Sequence, residues 1–422
     1  MNLAKKIFSN YNRNLFFYGF LGVATAFVSL FLYVFLPKLY SDFFGVGLAT
    51  IGAVLIFSRF IDAFLDPLIG HVSDKIAKNY SRKFIIIIAL FLLLFSYILL
   101  LYPIESHIKL WLFFTITLAY LSLSTVIINA LSIIPEYSKE QKTRLDLNSA
   151  REFFGIIGVF LAIVIPNIFL TGVGKDSAIE FLSYLGLAIF SLTALAFVFF
   201  DFEQPKKTLK NSHNFFKNFS YVVKDREFLY LILINFVNNL TFAITSAVFV
   251  FYVSKVLLAE VSIGAYLLTY FISSFVFIGI LSKLSKKYGK IFIWKIALIG
   301  SVVSFAGTLF IDHNSAWLFY LVCIFSGAFL GADLFVPPSM LSDYIHKNKK
   351  ESESGIYSGF WVFNIKLALA IGGGGALLII GEYGESSKIL GLPTISIVYA
   401  LIPCLLKAVT FILLKNLKNE RV

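Results

Sequence analysis

The sequence predicts an all-α membrane protein of twelve transmembrane helices arranged as two six-helix halves. Three observations predict it. Of the 422 residues, 59% are hydrophobic and 14% are charged, at a mean hydropathy of +0.85, a balance foreign to soluble globular chains. Apolar windows of ~20 residues, the length that crosses ~30 Å of hydrocarbon, recur along the whole chain. Lys and Arg alternate by side from one connecting loop to the next, as the positive-inside rule requires of a multi-pass protein.

The windows fall near 15–36, 46–73, 84–102, 109–135, 149–170, 178–200, 228–253, 261–282, 291–311, 316–338, 355–381 and 393–415. The first follows Lys5, Lys6 and Arg13 without a small-residue cleavage pattern, so it reads as a retained helix rather than a signal peptide. Its Gly19, Gly22, Ala24 and Ala26 favour close approach of a neighbouring helix. The N-terminus, the even loops and the tail carry the basic residues, among them Lys75, Lys78, Arg82, Lys83, Lys139, Lys142, Arg144, Lys286, Lys287, Lys349, Lys350 and Lys418. The odd loops hold little beyond Lys38, Lys109, Lys175, Lys255 and Lys388. Both termini are therefore expected in the cytoplasm. The net charge of +12 is explained by topology, and no nucleic-acid partner is expected.

The second window holds the strongest chemical signal. Arg59, Asp62 and Asp66 lie within eight residues in the middle of an apolar helix, where each ionisable side chain costs about 2.5–3.5 kcal/mol on insertion scales. At ~100° per residue, Asp62 and Asp66 are about 40° apart and one turn above each other, so both carboxylates face one place. Together they can offer four oxygens to a monovalent cation, or share a proton.

The stretch from 201 to 227 is polar and basic and contains Pro205, which suits a cytoplasmic linker between an N-terminal half, 1–200, and a C-terminal half, 228–422. Its aromatic and basic alternation around His213 to Phe219 fits either an amphipathic helix at the inner leaflet or a plain linker. The halves echo each other: Gly70-x-x-Ser73 with Lys78, Tyr80 and Lys83 is matched by Gly279-x-x-Ser282 with Lys286, Tyr288 and Lys290. In that register Asp62 and Asp66 correspond to Phe271 and Phe275, so the charged pair belongs to the first half alone. Parallel six-helix repeats also imply a central binding site.

The run Arg59-Phe-Ile-Asp62-Ala-Phe-Leu-Asp66-Pro67-Leu-Ile-Gly70 fits the R-x-x-D-A-x-x-D-P-x-x-G pattern of one branch of the major facilitator superfamily. That branch is the glycoside–pentoside–hexuronide:cation symporters, which includes the melibiose carriers and to which the sodium-dependent lysolipid carriers are related. Three further stretches extend the resemblance: Ser132-Ile-Ile-Pro135-Glu136-Tyr137 with Lys142-Thr143-Arg144-Leu145, then Arg151-Glu-Phe-Phe-Gly155, then Ser339 to Asp343 with Glu353 to Trp361 and Asn364-Ile-Lys366. The resemblance implies a major facilitator fold, a cation site at Asp62 and Asp66, and a coupling lysine at Lys366 in the eleventh helix. Where galactoside carriers place aspartates in helices one and four, the resemblance aligns Ala26 and Ile127 of this chain. The cation half of the pattern is kept and the galactoside half is missing. Asn129 offers one amide to a solute, and Tyr357 and Trp361 are candidates for lining its cavity.

Other charges have plainer readings beside the functional ones. Arg59 either pairs structurally with the dyad or takes part in coupling, and Lys366, about eleven residues in from Gly355, either couples or snorkels. Arg151, next to Glu152, reads as an inner gate residue or as a snorkelling one. Lys295 and Lys407 read as near-interface anchors, Cys323 and Cys404 as packing residues. The Gly372 to Gly375 run suits a hinge or close packing. No Walker-type loop, metal-ligand spacing or nucleophile with a nearby base is present, and the five histidines are scattered, so an enzyme is not expected.

The expectation is a bacterial inner-membrane symporter, monomeric, with no cofactor, coupling a cation, Na⁺ before H⁺, to a small glycoside-, pentoside- or hexuronide-like solute by alternating access. A cation-coupled carrier of an amphiphile such as a lysolipid is the alternative, and a non-transporting membrane protein the third reading.

Overall fold

Chain periodicity and hydropathy resolve, in a computed structural model, into long helices. The structure describes residues 2–169, 174–202, 215–383, 388–389 and 392–416. Most of the expected linker, 203–214, lies outside the described residues, as do Lys206, Lys207, Lys210, His213 and Lys418.

The first window forms α1 (Asn2–Gly19) and α2 (Leu21–Leu30), a π-helical stretch at Phe31–Phe35, and α3 (Leu36–Phe44). Gly45 closes α3 in a left-handed conformation, φ 64°, which costs a glycine little. Next come α4 (Leu48–Ile76), α5 (Arg82–Leu101), α6 (Ile108–Tyr137), α7 (Gln141–Phe169) and α8 (Lys175–Val198). A ten-residue helix, α9 (Phe215–Lys224), occupies the end of the linker region. The second series is α10 (Arg226–Phe251), α11 (Ile263–Tyr288), α12 (Lys290–Ala306), α13 (Phe319–Lys347) and α14 (Ser354–Tyr383). A two-residue antiparallel pair, Lys388–Ile389 with Leu392–Pro393, precedes the single turn α15 (Thr394–Ser396), a π-helical turn and α16 (Ile402–Leu413).

Among the described residues, ten helical segments are long and apolar enough to cross a membrane. The two windows not among them, 46–73 and 149–170, fall on α4 and α7, each 29 residues long and so about 43 Å at 1.5 Å per residue. Their charges, Arg59, Asp62 and Asp66 on α4 and Arg151 and Glu152 on α7, interrupt otherwise apolar helices.

The chain packs as two units. Unit 1 comprises residues 1–222 with 342–363, and unit 2 comprises 223–341 with 364–422. The first division falls inside the expected linker region. The end of α13 and the start of α14 join unit 1, so a segment from late in the sequence completes the earlier unit. The core of unit 1 gathers Tyr18, Phe27, Phe31, Tyr97 and Phe190, all buried. Within it α2 lies against α7 at backbone distance: a Cβ on Gly22 would stand 2.1 Å from the Arg151 carbonyl, and one on Gly158 would stand 2.3 Å from that of Val23. The core of unit 2 gathers Val248, Tyr252, Phe319 and Tyr399. Tyr252 and Tyr399 stack there at 4.4 Å between centroids, and Tyr252 donates to the Thr308 carbonyl at 2.7 Å.

Candidate cation site

Helix α4 runs unbroken through Pro67 and places Asp62 and Asp66 one turn apart on its buried side, 3% and 0% exposed. Carboxylates so placed need partners, because burial penalises the charged form. Ser124 of α6 donates its hydroxyl to Asp62 Oδ1 at 2.7 Å. One turn earlier, Arg59 lays its guanidinium over the Tyr120 ring, 5.1 Å from the centroid, and donates from Nε to the Tyr120 hydroxyl at 3.3 Å. Thr117 donates to Ser58 at 3.0 Å. Successive turns of α6 thus present polar side chains to successive turns of α4. The two carboxylates, with the Ser124 hydroxyl on Asp62, bring oxygen ligands together of the kind that suits a hard monovalent cation or a proton.

Below the dyad, the same helix is locked at its end. Arg82, the first residue of α5, is completely buried. It donates from Nε to Glu136 at 2.8 Å, from one terminal nitrogen to Asn129 Oδ1 at 3.1 Å, and from the other to Ser354 at 3.0 Å and to Asp74. Asp74 in turn accepts the backbone N–H groups of Gly355 at 2.8 Å and Ile356 at 2.9 Å, so a carboxylate from the end of α4 caps the N-terminus of α14. Ser354 donates to Glu136 at 2.8 Å. The backbones of α4 and α14 meet directly: a Cβ on Gly70 would stand 2.1 Å from the Gly355 carbonyl, and one on Gly359 would stand 2.4 Å from the carbonyl of Asp66 itself. A second pair, Arg144 with Asp343 at 2.7 Å, joins the start of α7 to the end of α13, with Gln141 donating to the same carboxylate at 3.0 Å.

Several residues fall elsewhere than their sequence context suggests. Asn129 takes part in the Arg82 network: its amide nitrogen donates to Ser73 at 3.0 Å and to the Thr125 carbonyl at 2.9 Å, and its oxygen is held by Arg82. Both ends of the amide are engaged. Arg82 itself, one of many basic loop residues in the sequence, is the centre of the network, and the only sequence signals for this are its place beside the helix-capping Ser81 and the Asp74 eight residues earlier. Ala26 is half-buried and lies 3.8 Å from a Cβ built on Gly155 of α7. Ile127 packs against the core of unit 1. Tyr357 and Trp361 are buried, 1% and 2% exposed, and Lys350 lies over the Tyr357 ring at 4.9 Å. Arg151 pairs with the adjacent Glu152 at 2.6 Å. Lys366 is half-buried on the part of α14 that belongs to unit 2. Lys407, expected as an interfacial anchor, instead makes an ion pair with Asp333 of α13. Burial of the lysine is tolerable because that carboxylate neutralises it.

Among the described residues the chain is almost wholly helical and multi-pass, with ionisable groups buried on apolar helices, the class of architecture that secondary transporters use. Residues 17–418 match the family described as MFS/sugar transport protein, and the chain belongs to it. It is 22% identical over 360 residues to the isoprimeverose transporter of Lactiplantibacillus pentosus, covering 82% of this chain and 75% of that one. With the inner membrane symporter YicJ of Escherichia coli strain K12 it shares 23% over 378 residues, 86% of this chain and 81% of that one. The fold is that of the E. coli fucose:proton symporter FucP, with a TM-score of 0.72 at 17% identity over 96% of this chain and 97% of that one. The glycoside–pentoside–hexuronide branch expected from the Arg59 to Gly70 pattern is thus the one its relatives occupy.

Proposed function

We propose that this transporter is a symporter in which Asp62 and Asp66 hold the coupling cation, Na⁺, and that it carries a small glycoside-like solute by alternating access. The observation that carries the reading is the buried pair itself: two carboxylates one turn apart, with the Ser124 hydroxyl on Asp62 and the Asp66 carbonyl packed under Gly359. A cation bound there neutralises the pair and removes the penalty for enclosing it away from water. Coupling requires that cation and solute each favour the same state of the carrier more strongly when the other is present. Two carboxylates one turn apart support Na⁺, which takes several oxygen ligands, while a proton needs only one of them. Arg59 and Lys366 are proposed to tune the pair's charge, and Arg151 with Glu152 to act in gating. The isoprimeverose transporter among the relatives supports a glycoside, and the symporter among them supports coupling.

The test is uptake into proteoliposomes under an imposed Na⁺ or H⁺ gradient, with glycosides, uronides and lysolipids as solutes. A Na⁺ gradient should drive accumulation of a glycoside, and Asp62→Asn or Asp66→Asn should each reduce it at least about tenfold, the equivalent of ~1.4 kcal/mol. Undiminished accumulation in both variants would reject the role given to the pair, and a lysolipid as sole solute would reject the substrate.

A further inference from the structure

Unit 2 holds a second polar constellation that the dyad does not use. Lys407 of α16 pairs with Asp333 of α13 and donates to Asn238 Oδ1 of α10 at 3.0 Å. The other oxygen of Asp333 accepts the indole N–H of Trp294 at 2.7 Å. The pair stands at the wall of a cavity of about 170 Å³, to which Asn239, Thr245, Tyr270 and Phe305 also contribute. One turn before Asn239, the Asn235 side-chain nitrogen is buried and has no hydrogen-bond partner among the described residues. An ion pair inside an apolar bundle carries a desolvation penalty that apolar residues of similar volume would avoid, so packing alone does not explain it. This one borders space.

We infer that the cavity is a binding subsite for a neutral, hydroxyl-bearing ring of the transported solute. A hydroxyl both donates and accepts, so it can give its proton to Asp333 and accept from Lys407 at once without separating them. Asn239 Nδ2 donates to Asn235 and Asn238 Oδ1 accepts from Lys407, so the Asn238 amide nitrogen and the Asn239 amide oxygen are the groups that extend that pattern to neighbouring hydroxyls. Tyr270 and Phe305 offer apolar faces to the C–H side of a ring. Charge decides the class of ligand. Lys407 and Asp333 cancel and the rest of the lining is uncharged, so a carboxylate entering beside Lys407 also meets Asp333 and is disfavoured. Volume bears on the size: about 170 Å³ is below the ~300–1,000 Å³ of pockets that enclose drug-sized ligands, which favours a single ring over a long acyl chain. The inference takes from the symport reading only that the chain carries a glycoside-like solute, and it narrows that class to neutral sugars over uronides.

The test is equilibrium binding to the purified full-length protein without any ion gradient, by titration calorimetry, with D-xylose, methyl β-glucoside, D-glucuronate and a lysophosphatidylcholine as probes. Trp294 supplies a local reporter, since a ligand on Asp333 should change its fluorescence and the change should vanish in Trp294→Phe. A neutral sugar should bind at least about tenfold more tightly than glucuronate. Thr245→Phe, which fills the cavity and leaves the ion pair in place, should weaken it by a similar factor. So should the double variant Asp333→Asn with Lys407→Gln, which strands no single buried charge. Preference for glucuronate or the lysolipid, no sugar binding by the wild type, or unchanged sugar binding in both variants would overturn the inference. If ion-driven uptake survives neutralisation of the dyad while neutral sugar still binds here, the role given to Asp62 and Asp66 fails and this subsite stands.

Discussion

Arg82 is the residue that holds the buried carboxylates of Asp74 and Glu136, since its guanidinium joins both of them with an amide and a hydroxyl. Removing it would leave Asp74 and Glu136 buried and uncompensated, a loss of about 3–5 kcal/mol. Arg82→Gln should therefore lower the melting temperature sharply, and Arg82→Lys should not restore it, because an ammonium lacks the planar fork that reaches Asp74 and Glu136 together. A lysine variant as stable as wild type would show that charge alone suffices. At this scale the sequence was partly legible. Asp62 and Asp66 stand out because hydropathy isolates them. Arg82 does not, because at a helix start its composition is that of any basic loop. Asp333 carries the same signal as the dyad, a carboxylate in an apolar helix, but its partner is 74 residues away and no spacing joins them.

At the scale of elements, the close crossing of α4 and α14 rests on glycine. Gly355→Ala would place a methyl 2.4 Å from the Gly70 carbonyl and should cost about 1–3 kcal/mol through forced separation of the helices. Gly279, which echoes Gly70 in the sequence, meets nothing within 4 Å. Gly279→Ala should be neutral or stabilising by up to ~1 kcal/mol from helix propensity, and thermal melts of the two variants compare them directly. Sequence repetition therefore preserved the glycine in both halves while only the first uses it for contact. In α14, Gly372 would bring a Cβ within 2.7 Å of Ala243, whereas Gly374 and Gly375 meet nothing within 4 Å, so one end of that run packs and the other is open. Between α12 and α13, Asp312 forms a capping box with Ser315. The Ser315 hydroxyl, with the Ser315 and Asn314 N–H groups, holds the Asp312 carboxyl below its usual range. That cap is fully effective above the ordinary carboxylate pKa of about 3.9 and is lost as pH falls through the lower folded value.

For the whole molecule, charge asymmetry predicts sidedness where helix geometry does not. The charge bias predicts both termini in the cytoplasm, and with them Asn79 in a cytoplasmic loop and Ser106 in an external one. Asn79→Cys should resist a membrane-impermeant thiol reagent applied to intact cells, and Ser106→Cys should react. The reverse pattern would invert the topology. The helical membrane fold and the family were legible from apolar windows and the Arg59 to Gly70 motif, because both are local. The inclusion of 342–363 in unit 1 was not, because it follows from contacts between residues such as Asp74 and Gly355, 281 positions apart.

The central claim, that Asp62 and Asp66 form the coupling-ion site, is tested most directly by titrating Na⁺ into the purified carrier and its Asp62→Asn and Asp66→Asn variants. Saturable Na⁺ binding by the wild type, lost in each variant while the fold still melts cooperatively, is the predicted result. Na⁺ binding of undiminished affinity in both variants would contradict it and place the ion elsewhere in the molecule.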